Sequence, residues 1–353
     1  MSKTKNMKSP LTNKKVLVTG SCGTIGNELV NQLLHTYGVE ELICLDSNES
    51  ELFFQEQRYK SRPEAHFFLA NVRDKEKLKR KCQGIDVLFH TAAYKHVELC
   101  EKSPFEAVQT NILGGRNIID AACECGVGKV IFTSSDKAVN PTNVMGTSKL
   151  MGERLITAAN SSMRGGPVFA STRFGNVLGS NGSVLPIFTE QIRQGKKVTL
   201  TDVNMTRFIM SISQATKLVI DSAEYARGGE VFVTKMPVIR IRDLAEVMIE
   251  ELAPRFGHNP QNISVEIIGT KPGEKLYEEL MNIEETGRTI ELANYFSVLP
   301  AFRDIYDNIS YEYSDIISRE VTNPYNSANE TPLGKAELKN FLYEHGLIHD
   351  AVQ

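Results

Sequence analysis

The chain of 353 residues carries 40 Lys and Arg against 43 Asp and Glu, a formal net charge of -3, and 41% hydrophobic residues. This length exceeds what one compact core usually supports, and it favours a large domain with a smaller one beside it. The balanced charge lacks the basic excess that binding to a phosphate backbone needs, so nucleic acid is not an expected partner.

The start of the chain and its cysteines indicate the compartment. The stretch "MSKTKNMKSPLTNKK" is polar, and no apolar run approaches the roughly 18–20 residues that span a bilayer, so we expect a cytoplasmic protein without a membrane span. All six cysteines precede residue 126 and are expected to be reduced thiols, mostly buried. Cys123 and Cys125 are too close for an easy bridge, and no second cluster completes a zinc site, so no metal is predicted.

Apolar runs and amphipathic stretches alternate through the first half of the chain. The runs "KKVLVTG", "ELICLDS", "HFFLANV", "DVLFHTAA" and "KVIFTSS" each precede a segment of helical period, and "PVFASTRFGNV" adds one further run. Strands this continuously apolar are buried on both faces, and the helices between them are long enough for right-handed crossovers. The pattern predicts an α/β fold with a Rossmann-type doubly wound parallel sheet over residues 1–180.

The pattern loosens after about Gly179. The Gly/Ser-rich stretch "GSNGS" precedes a predicted helix from about Leu185 to Gln194, and short mixed strands and helices follow. We expect a smaller mixed α/β substrate-binding domain over residues 181–325. The strand near 229–235 belongs either to that domain or to the main sheet, and residues 326–353 are predicted as a tail with one terminal helix.

Gly20, Gly23 and Gly26 lie at the junction of the first strand and the first helix. Glycine permits the tight turn and lets backbone amides approach a pyrophosphate at the positive end of the helix. Asp46 ends the next strand, about 20 residues after Gly26, where an acceptor binds the ribose hydroxyls. Its carboxylate would repel a ribose 2′-phosphate, which favours NAD over NADP. The alternative is a tight turn with Asp46 as a helix cap.

Five segments of the chain carry a resemblance to a known family. They are "TGSCGTIG", "HTAAYKHVELCEKSPFEAVQTNILGG", "TSSDKAVNPTNVMGTSK", "RFGNVLGSNGSVLPIFTEQI" and "MTRFIM". The chain from about Lys14 to Leu280 resembles the extended short-chain dehydrogenase/reductase superfamily, and most closely its UDP-N-acetylglucosamine 4,6-dehydratases. The resemblance implies a hydride transfer from sugar C4 to NAD, elimination of water across C5 and C6, and return of the hydride to C6.

The resemblance places this chemistry in "SSDK", at the end of the fifth predicted strand. It implies Asp136 as the acid at C6, Lys137 as the base at C5 and Ser135 as a hydrogen-bond partner of the C4 oxygen. Because a base must be neutral, we expect desolvation or a nearby cation such as Lys149 to lower the pKa of Lys137. A solvated turn pair is the alternative, but the carboxyl end of a parallel strand favours a site.

Met145 stands where the superfamily carries its catalytic tyrosine. Lys149 is expected to keep its role at the nicotinamide ribose, whereas the thioether of Met145 exchanges no proton. The base for the C4 hydroxyl is then Asp136, directly or through Ser135, or else Lys137, with Asp136 slightly favoured. An apolar methionine would also raise the pKa of Asp136, and plain packing is the other interpretation of Met145.

The resemblance also implies binding residues for the cofactor and the substrate. The cofactor set is Gly20, Gly23, Thr24, Ile25, Gly26, Asp46, Ser47, Asn71, Val72, Ala92, Ala93, Lys95, Asn111 and Lys149. The substrate set is His96, Asn176, Ser183, Val184, Arg207 and Glu274. Arg207 would offer a planar fork to the diphosphate, with a surface ion pair as the alternative. For His96 the alternative is a polar residue of a loop.

Several functional outcomes stay open at this point. Met145 resembles the subset of the family that retains the C5 configuration, so retention is expected and inversion is the alternative. A nucleotide-sugar 4-epimerase would use the same hydride transfer without an acid–base pair for C5 and C6. A catalytically silent NAD-binding regulator is a further alternative. The resemblance also implies a homo-oligomer, dimer or higher, that acts in polysaccharide biosynthesis.

Overall fold

A computed structural model describes residues 10–162, 165–180, 183–269, 274–302 and 309–348. Residues 1–9 of the predicted first domain and 349–353 of the predicted tail lie outside the described residues. Two residues of the "GSNGS" stretch, Asn181 and Gly182, also lie outside them.

Six parallel strands form the first part of a large sheet. They are β1 (Lys15–Thr19), β2 (Glu41–Asp46), β3 (Ala65–Leu69), β4 (Val87–His90), β5 (Lys129–Ser135) and β6 (Val168–Phe174). Their order across the sheet is β6-β5-β4-β1-β2-β3, so the strand order reverses between β1 and β4. Ligands of doubly wound sheets bind at the carboxyl ends of the strands beside such a reversal. The predicted fold class is confirmed.

The helices of the first half follow the strands in alternation. They are α1 (Thr24–Gln32), α2 (Glu49–Arg58), α3 (Lys75–Cys82), α4 (Val97–Lys102), α5 (Pro104–Ala107), α6 (Gly114–Cys125) and α7 (Val144–Ser162). Two π-helical segments, Leu33–Tyr37 and Val108–Leu113, extend α1 and join α5 to α6. The side chains of Val16 and Val18 pack in one core and that of Leu17 in another, so β1 is buried on both faces.

The second half of the chain contains shorter strands between its helices. The helices are α8 (Val184–Arg193), α9 (Ile212–Tyr225), α10 (Ile241–Leu252), α11 (Ile283–Thr286) and α12 (Lys335–Glu344). The strands are β7 (Asn176–Val177), β8 (Val198–Leu200), β9 (Thr206–Met210), β10 (Val231–Thr234), β11 (Val238–Arg240), β12 (Val265–Ile267), β13 (Glu279–Met281), β14 (Thr289–Leu292), β15 (Tyr295–Val298), β16 (Ile316–Ser318) and β17 (Tyr325–Asn326).

Four strands of the second half return to the large sheet. β10 pairs in parallel with β6, and β15, β14 and β16 extend that edge through antiparallel pairs. The strand predicted near 229–235 therefore lies in the main sheet of ten described strands. The other described strands form the small sheets β11-β9-β7, β12-β8 and β13-β17. The division into domains at residue 181 stays a prediction.

A buried ion network joins the large sheet to the chain after β13. Arg173 on β6 is 1% exposed, and its guanidinium donates to both carboxylate oxygens of Glu153 on α7 (3.0 and 2.6 Å) and of Glu285 on α11 (both 3.0 Å). It also donates to the carbonyl oxygen of Leu280 on β13 (2.8 Å). Because breaking a buried pair leaves an uncompensated charge, this network holds β13 against the sheet.

Three further observations concern membrane spans, metal ligands and cysteines. None of the helices in the described chain has the length and apolar character of a membrane span. The described residues contain no group of three or more His, Cys, Asp or Glu side chains arranged to hold a metal ion. All six cysteines are free thiols; Cys44, Cys82 and Cys100 are buried, and the other three are half-buried.

Candidate active site

The glycine loop between β1 and α1 is shaped by close contacts that exclude side chains. Gly20 has a φ of +71°, and a Cβ placed on it would lie 2.7 Å from the Cα and N of Ala92, after β4. A Cβ on Gly26 would lie 2.0 Å from the Gly20 carbonyl oxygen. Gly23 precedes α1, and no described side chain caps that helix. The loop therefore leaves a backbone cradle before the α1 N-terminus, as a pyrophosphate site requires.

Asp46 reaches across from the end of β2 to the glycine loop. Its Oδ2 accepts a hydrogen bond from the Cys22 N–H (2.9 Å), and its Oδ1 accepts one from the Asn48 N–H (2.9 Å). Asp46 is half-buried, and Ser47 beside it is exposed. The carboxylate thus lies at the rim of the loop, where the spacing from Gly26 predicts it, and it fits the position of a ribose acceptor.

The ends of β3 and β4 bring further residues of the predicted cofactor set to this edge. Asn71 is exposed and its Oδ1 accepts from the Arg73 N–H (3.0 Å), while Val72 is buried against the start of α6. Asn111 is buried: its Oδ1 accepts from the Tyr94 N–H (2.8 Å), and its Nδ2 donates to the Tyr94 carbonyl (3.0 Å). Asn111 therefore positions the loop after β4.

A cleft of about 1,050 Å³ lies beside the glycine loop. Cys22, Gly23 and Thr24 line one side of it, and Leu185 on α8 and Ser211 before α9 line the other. Ile25, the next residue of α1, is half-buried. The loop therefore faces open space between the first half of the chain and the helices of the second half.

Ser135, Asp136 and Lys137 form a compact hydrogen-bonded group where β5 ends. A 3-10 turn, Asp136–Ala138, follows the strand directly. Ser135 Oγ donates to Asp136 Oδ1 (2.6 Å), and Lys137 Nζ lies 3.2 and 3.0 Å from the two carboxylate oxygens of Asp136. The Asp136 side chain is 5% exposed and that of Lys137 is 34% exposed. The structure brings the three predicted catalytic side chains together.

The charges of this group correct two expectations from the sequence. Burial acts to raise the pKa of Asp136, but the Lys137 ammonium and the Ser135 hydroxyl outweigh it, so the pKa is lowered. The expected upward shift is therefore wrong. Burial likewise acts to lower the pKa of Lys137, but the charges of Asp136 and Glu278 outweigh it, so the pKa is raised. The expected lowering of that pKa is also wrong, because the charges of the two carboxylates outweigh burial and the charge of Arg207.

Lys149 and Met145 occupy one turn of α7 but have different environments. Lys149 Nζ donates to the Thr133 carbonyl (2.9 Å) and lies 4.8 Å from the centre of the Phe132 ring. Burial lowers the pKa of Lys149 to about 8. Met145 is 3% exposed and packs in a cluster with Cys100 and three other apolar residues, Ala107, Val97 and Val144. Packing therefore accounts for Met145, and burial gives Lys149 a lowered pKa where Lys137 has a raised one.

Arg207 on β9 has little free donor capacity in the described chain. Its Nη1 donates to the carbonyl oxygens of Thr206 (2.7 Å) and Leu276 (3.1 Å), and its Nη2 donates to that of Lys275 (2.9 Å). Its Nε lies 3.4 Å from Glu278 Oε1. The expected open fork is occupied by these partners, and because the Arg207 side chain is only 10% exposed, it is not a surface ion pair either.

The other predicted substrate residues lie on separate elements. His96 is exposed and precedes α4, whereas Asn176 begins β7, which pairs with β9. Ser183 precedes α8, whose first residue is Val184, and the Ser183 hydroxyl is buried with no hydrogen-bond partner among the described residues. Glu274 Oε1 accepts from Thr201 Oγ1 (3.2 Å) and lies 3.9 Å from Arg207 Nη2.

Lys95 and Ala93 complete the predicted cofactor set. Burial and the charge of Lys137 lower the pKa of Lys95, while Ala93 is half-buried.

Glu278 is a charged residue near this group that the sequence did not predict. Burial, together with the charge of Asp136, raises the pKa of Glu278 to about 7. Glu278 follows Glu274 by four residues in "KPGEKLYEEL", but a single sequence gives no sign that the Glu278 carboxyl is buried.

Comparison with known proteins gives a family and several relatives. Residues 16–300 match the family described as "Polysaccharide biosynthesis protein". A Methanocaldococcus jannaschii protein named "Uncharacterized membrane protein MJ1061" is 48% identical, over 94% of this chain and 96% of that protein. A Campylobacter jejuni protein named "UDP-N-acetylglucosamine 4,6-dehydratase (inverting)" is 38% identical, over 82% of this chain and 84% of that protein.

Two further matches span nearly the whole chain. A Rickettsia akari protein named "UDP-glucose 4-epimerase" is 35% identical, over 96% of this chain and 98% of that protein. The X-ray structure of Pen from Bacillus thuringiensis superposes with a TM-score of 0.85 at 39% identity, over 95% of this chain and 98% of that one. The similarity therefore extends over both halves of the chain.

Proposed function

Because the chain belongs to the polysaccharide biosynthesis protein family, we propose that it is an NAD-dependent UDP-N-acetylglucosamine 4,6-dehydratase. The observation that carries this proposal is the hydrogen-bonded group of Ser135, Asp136 and Lys137 where β5 ends. An acid and a base side by side suit an elimination that removes a proton from one carbon and a hydroxyl from the next. The Campylobacter jejuni relative with that name supports the choice of substrate.

The residues around the glycine loop support NAD as the cofactor. Gly20, Gly23 and Gly26 would hold the pyrophosphate, Asp46 the adenosine ribose, and Lys149 the nicotinamide ribose. When bound, NAD supplies the acceptor for the C4 hydride and the donor of that hydride at C6. The Asp46 carboxylate disfavours the 2′-phosphate of NADP.

The hydrogen bond between the side chains of Ser135 and Asp136 supports a route for the C4 hydroxyl proton that needs no tyrosine. Ser135 Oγ donates to Asp136 Oδ1 (2.6 Å), so a C4 hydroxyl donating to Ser135 passes its proton to Asp136. The lowered pKa of Asp136 keeps this acceptor ionised beforehand. Asp136 then holds the proton that the C6 hydroxyl needs to leave as water.

Lys137 acts on the neighbouring carbon once C4 is a ketone. Because its pKa is raised, Lys137 must first release its ammonium proton to the solvent. The amine then takes the C5 proton, and the electron pair of that C–H bond passes to the enolate and then expels the C6 oxygen. The loss of water consumes the proton on Asp136, and protonation of C5 accompanies the return of hydride to C6. Protons and electrons balance, so the cofactor ends in its starting state.

We propose retention at C5, with inversion as the alternative. Lys137 takes the C5 proton, exchanges its ammonium protons with water, and returns a proton to the same face of the sugar. Met145 is buried by packing and offers no acid from the position where other members of the superfamily carry tyrosine. The name of the Campylobacter jejuni relative states inversion. The C5 configuration of the isolated product decides between the two outcomes.

The substrate set supports a UDP group beside β7, β9 and α8. Ser183 has a buried hydroxyl without a partner among the described residues, which suits a polar ligand there. Asn176 and Val184 lie on neighbouring elements, and His96 is proposed at the sugar. Arg207 and Glu274 would contact the diphosphate end only if the ligand displaces some of the carbonyl partners of Arg207.

Mass spectrometry of the nucleotide sugar after incubation with UDP-N-acetylglucosamine tests the proposed function. A dehydratase product lacks one water, whereas a 4-epimerase product has an unchanged mass. The epimerase is the second candidate because the Rickettsia akari relative carries that name and matches this chain over nearly its whole length. Binding of NAD without conversion of the sugar would instead support a regulator and contradict both enzyme proposals.

Exposed apolar side chains near α4 and α7 support a homo-oligomer. Leu99 is 62% exposed, Phe105 is 82% exposed and Met151 is 45% exposed. Apolar side chains this exposed are costly to leave in water and suit burial against a second copy. Light scattering of the purified protein should give at least twice the mass of one chain. Phe105→Glu should reduce the assembly, and a wild-type monomer would contradict this part of the proposal.

A further inference from the structure

The chain leaves the catalytic turn (Asp136–Ala138) through a residue with an unusual backbone conformation. Asn140 lies two residues after this turn and has a φ of +45°. Among the described residues other than glycine, only Asn13 also has a positive φ. A left-handed conformation costs free energy in a residue with a Cβ, and it persists where the surrounding structure holds it. Contacts from elsewhere in the chain must therefore hold Asn140.

Two side chains near the start of β13 make these contacts. Lys275 Nζ donates to the carbonyl oxygens of Val139 (3.0 Å) and Asn140 (2.9 Å). Asn140 Nδ2 donates to Glu279 Oε2 (3.2 Å). Because successive carbonyl groups of an extended chain point to opposite sides, one ammonium group binds two of them where the backbone turns. The bonds of Lys275 therefore favour the turned conformation of Asn140 over an extended one.

Residues 275–279 are themselves fixed to the second half of the chain. The carbonyl oxygen of Lys275 accepts a hydrogen bond from Arg207 Nη2 on β9 (2.9 Å). Glu279, the first residue of β13, pairs with Asn326 of β17. Because β9 and β17 hold this segment at both ends, it forms a firm support for the chain that follows the catalytic turn.

The first turn of α7 closes the other side of the catalytic turn. A Cβ placed on Gly146 would lie 2.2 Å from the Lys137 carbonyl oxygen, so the two backbones are in close contact. Within the turn, the Lys137 N–H donates to Ser135 Oγ (3.3 Å). The catalytic turn is therefore held by steric contact with α7 on one side and by the bonds of Lys275 on the other.

We propose that Lys275 is a positioning residue for the dehydration, because it holds Asn140 in its left-handed conformation. The turn that carries Asp136 and Lys137 then stays in place, and each side chain faces the carbon on which it acts. The inference rests on the proposed function. Lys275 acts through the backbone of the turn and not on the sugar. Because a misplacement of about 1 Å can lower a rate about 10²-fold, a loosened turn should impair turnover more than substrate binding.

Lys275→Met tests this role, because methionine keeps the apolar length of the side chain and removes both bonds to the turn. With UDP-N-acetylglucosamine as substrate, kcat should fall about tenfold. The KM should change by less than about twofold, since the backbone carbonyl that binds Arg207 is kept. An unchanged kcat would overturn the inference, and so would a loss that appears in KM alone.

Lys129→Met is the matched control for this variant. Lys129 is half-buried like Lys275, and its Nζ also donates to two carbonyl oxygens, those of Ala223 (2.6 Å) and Ala226 (3.4 Å). It begins β5, whereas the catalytic turn follows the end of that strand. The value of kcat should stay within about twofold of the wild type. If kcat falls as far as in Lys275→Met, the loss of any such bond impairs turnover, and the positioning role is wrong.

Two substitutions at the exposed Asn140 test the backbone conformation itself. Asn140→Gly and Asn140→Val both lose the bond to Glu279, but glycine adopts a left-handed conformation readily and valine does not. The kcat of Asn140→Gly should therefore be about tenfold above that of Asn140→Val. Lys275→Met should lower kcat much less in the Asn140→Val background than in the wild type, because the conformation that it supports is already lost. Equal kcat values for Asn140→Gly and Asn140→Val would overturn the inference.

Hydrogen exchange separates this inference from the proposed function, because it needs no turnover. The Val139 N–H donates to the Asp136 carbonyl oxygen (3.0 Å) and so reports on the catalytic turn. In Lys275→Met, peptides that contain Val139 should exchange about tenfold faster than in the wild type and in Lys129→Met. Unchanged exchange in an active dehydratase would overturn the inference. Faster exchange in a protein that does not convert UDP-N-acetylglucosamine contradicts the proposed function and leaves the support of the turn by Lys275 intact.

Discussion

The glycine loop after β1 and the charged group beside β5 both lie at the carboxyl edge of the large sheet, but different forces shape them. Steric contacts shape the loop, because a Cβ on Gly20 would lie 2.7 Å from the Ala92 backbone. Compensating charges shape the other region, where Asp136, Arg207 and Glu278 are buried together. One added methyl group should therefore damage the loop, whereas a change of charge should damage the charged group.

The largest expected effect comes from removing a charge. Lys137→Ala deletes the proposed base and leaves Asp136 without its ion pair, so kcat should fall about 10³-fold. Binding of NAD, measured by calorimetry, should stay near the wild-type value because the glycine loop is untouched. As a control, Lys335→Ala removes an exposed lysine paired with Glu246, and kcat should change by less than about twofold. Undiminished turnover in Lys137→Ala would contradict the assignment.

The charged group should also make folding stability depend on pH. Because the pKa of Glu278 is raised in the folded protein, the folded state binds more protons than the unfolded state between about pH 4.5 and pH 7. Its contribution to stability is complete below that window and is lost as the pH rises through it. Relative to Glu278→Gln, the free energy of unfolding of the wild type should fall by roughly 3 kcal/mol across the window. Urea titrations at several pH values measure this, and a constant difference would contradict it.

The glycine loop should respond to size without any change of charge. Gly20→Ala forces a left-handed conformation on alanine and a clash with Ala92, whereas Gly126→Ala meets the same conformational strain in open space. We expect Gly20→Ala to cost about 2 kcal/mol more than Gly126→Ala and to weaken NAD binding. Thermal unfolding and NAD titration measure both effects. Equal costs for the two variants would show that the close approach to Ala92 is unimportant.

The smallest effect is expected at Met145, which packs in an apolar cluster of its own. Met145→Leu keeps an apolar side chain of similar volume in the cluster with Cys100 and Ala107, so its cost should stay under about 1.5 kcal/mol. The value of kcat should stay close to the wild type, because the thioether moves no proton. A large loss of activity with normal stability would give Met145 a chemical role.

The parts of the site that the sequence predicts are those built from neighbouring strands and turns. Gly20 and Asp46 were found because a strand, a turn and a fixed spacing bring them to one edge, and the Asp46 carboxylate does bind the Cys22 N–H of that loop. Ser135, Asp136 and Lys137 are consecutive, so their contact follows from the end of β5.

Long-range contacts explain what the sequence left out. The Glu278 carboxylate accepts a hydrogen bond from the N–H of Phe208, 70 residues earlier in the chain. No local sequence pattern reveals that this carboxylate is buried. The pKa of Lys137 is raised first by the adjacent Asp136 and then by Glu278, and only the second of these charges comes from a distant part of the chain. The return of β14, β15 and β16 to the large sheet likewise depends on antiparallel pairing between distant short strands.

Proton NMR of the product formed from UDP-N-acetylglucosamine in deuterated water tests the central claim most directly. If Asp136 and Lys137 carry the elimination, the wild type should yield a 4-keto sugar with a new C6 methyl signal and deuterium at C5. Lys137→Ala, loaded with NAD, should yield neither. A sugar that keeps its C6 hydroxymethyl group and its C5 proton in the wild-type reaction would contradict the claim.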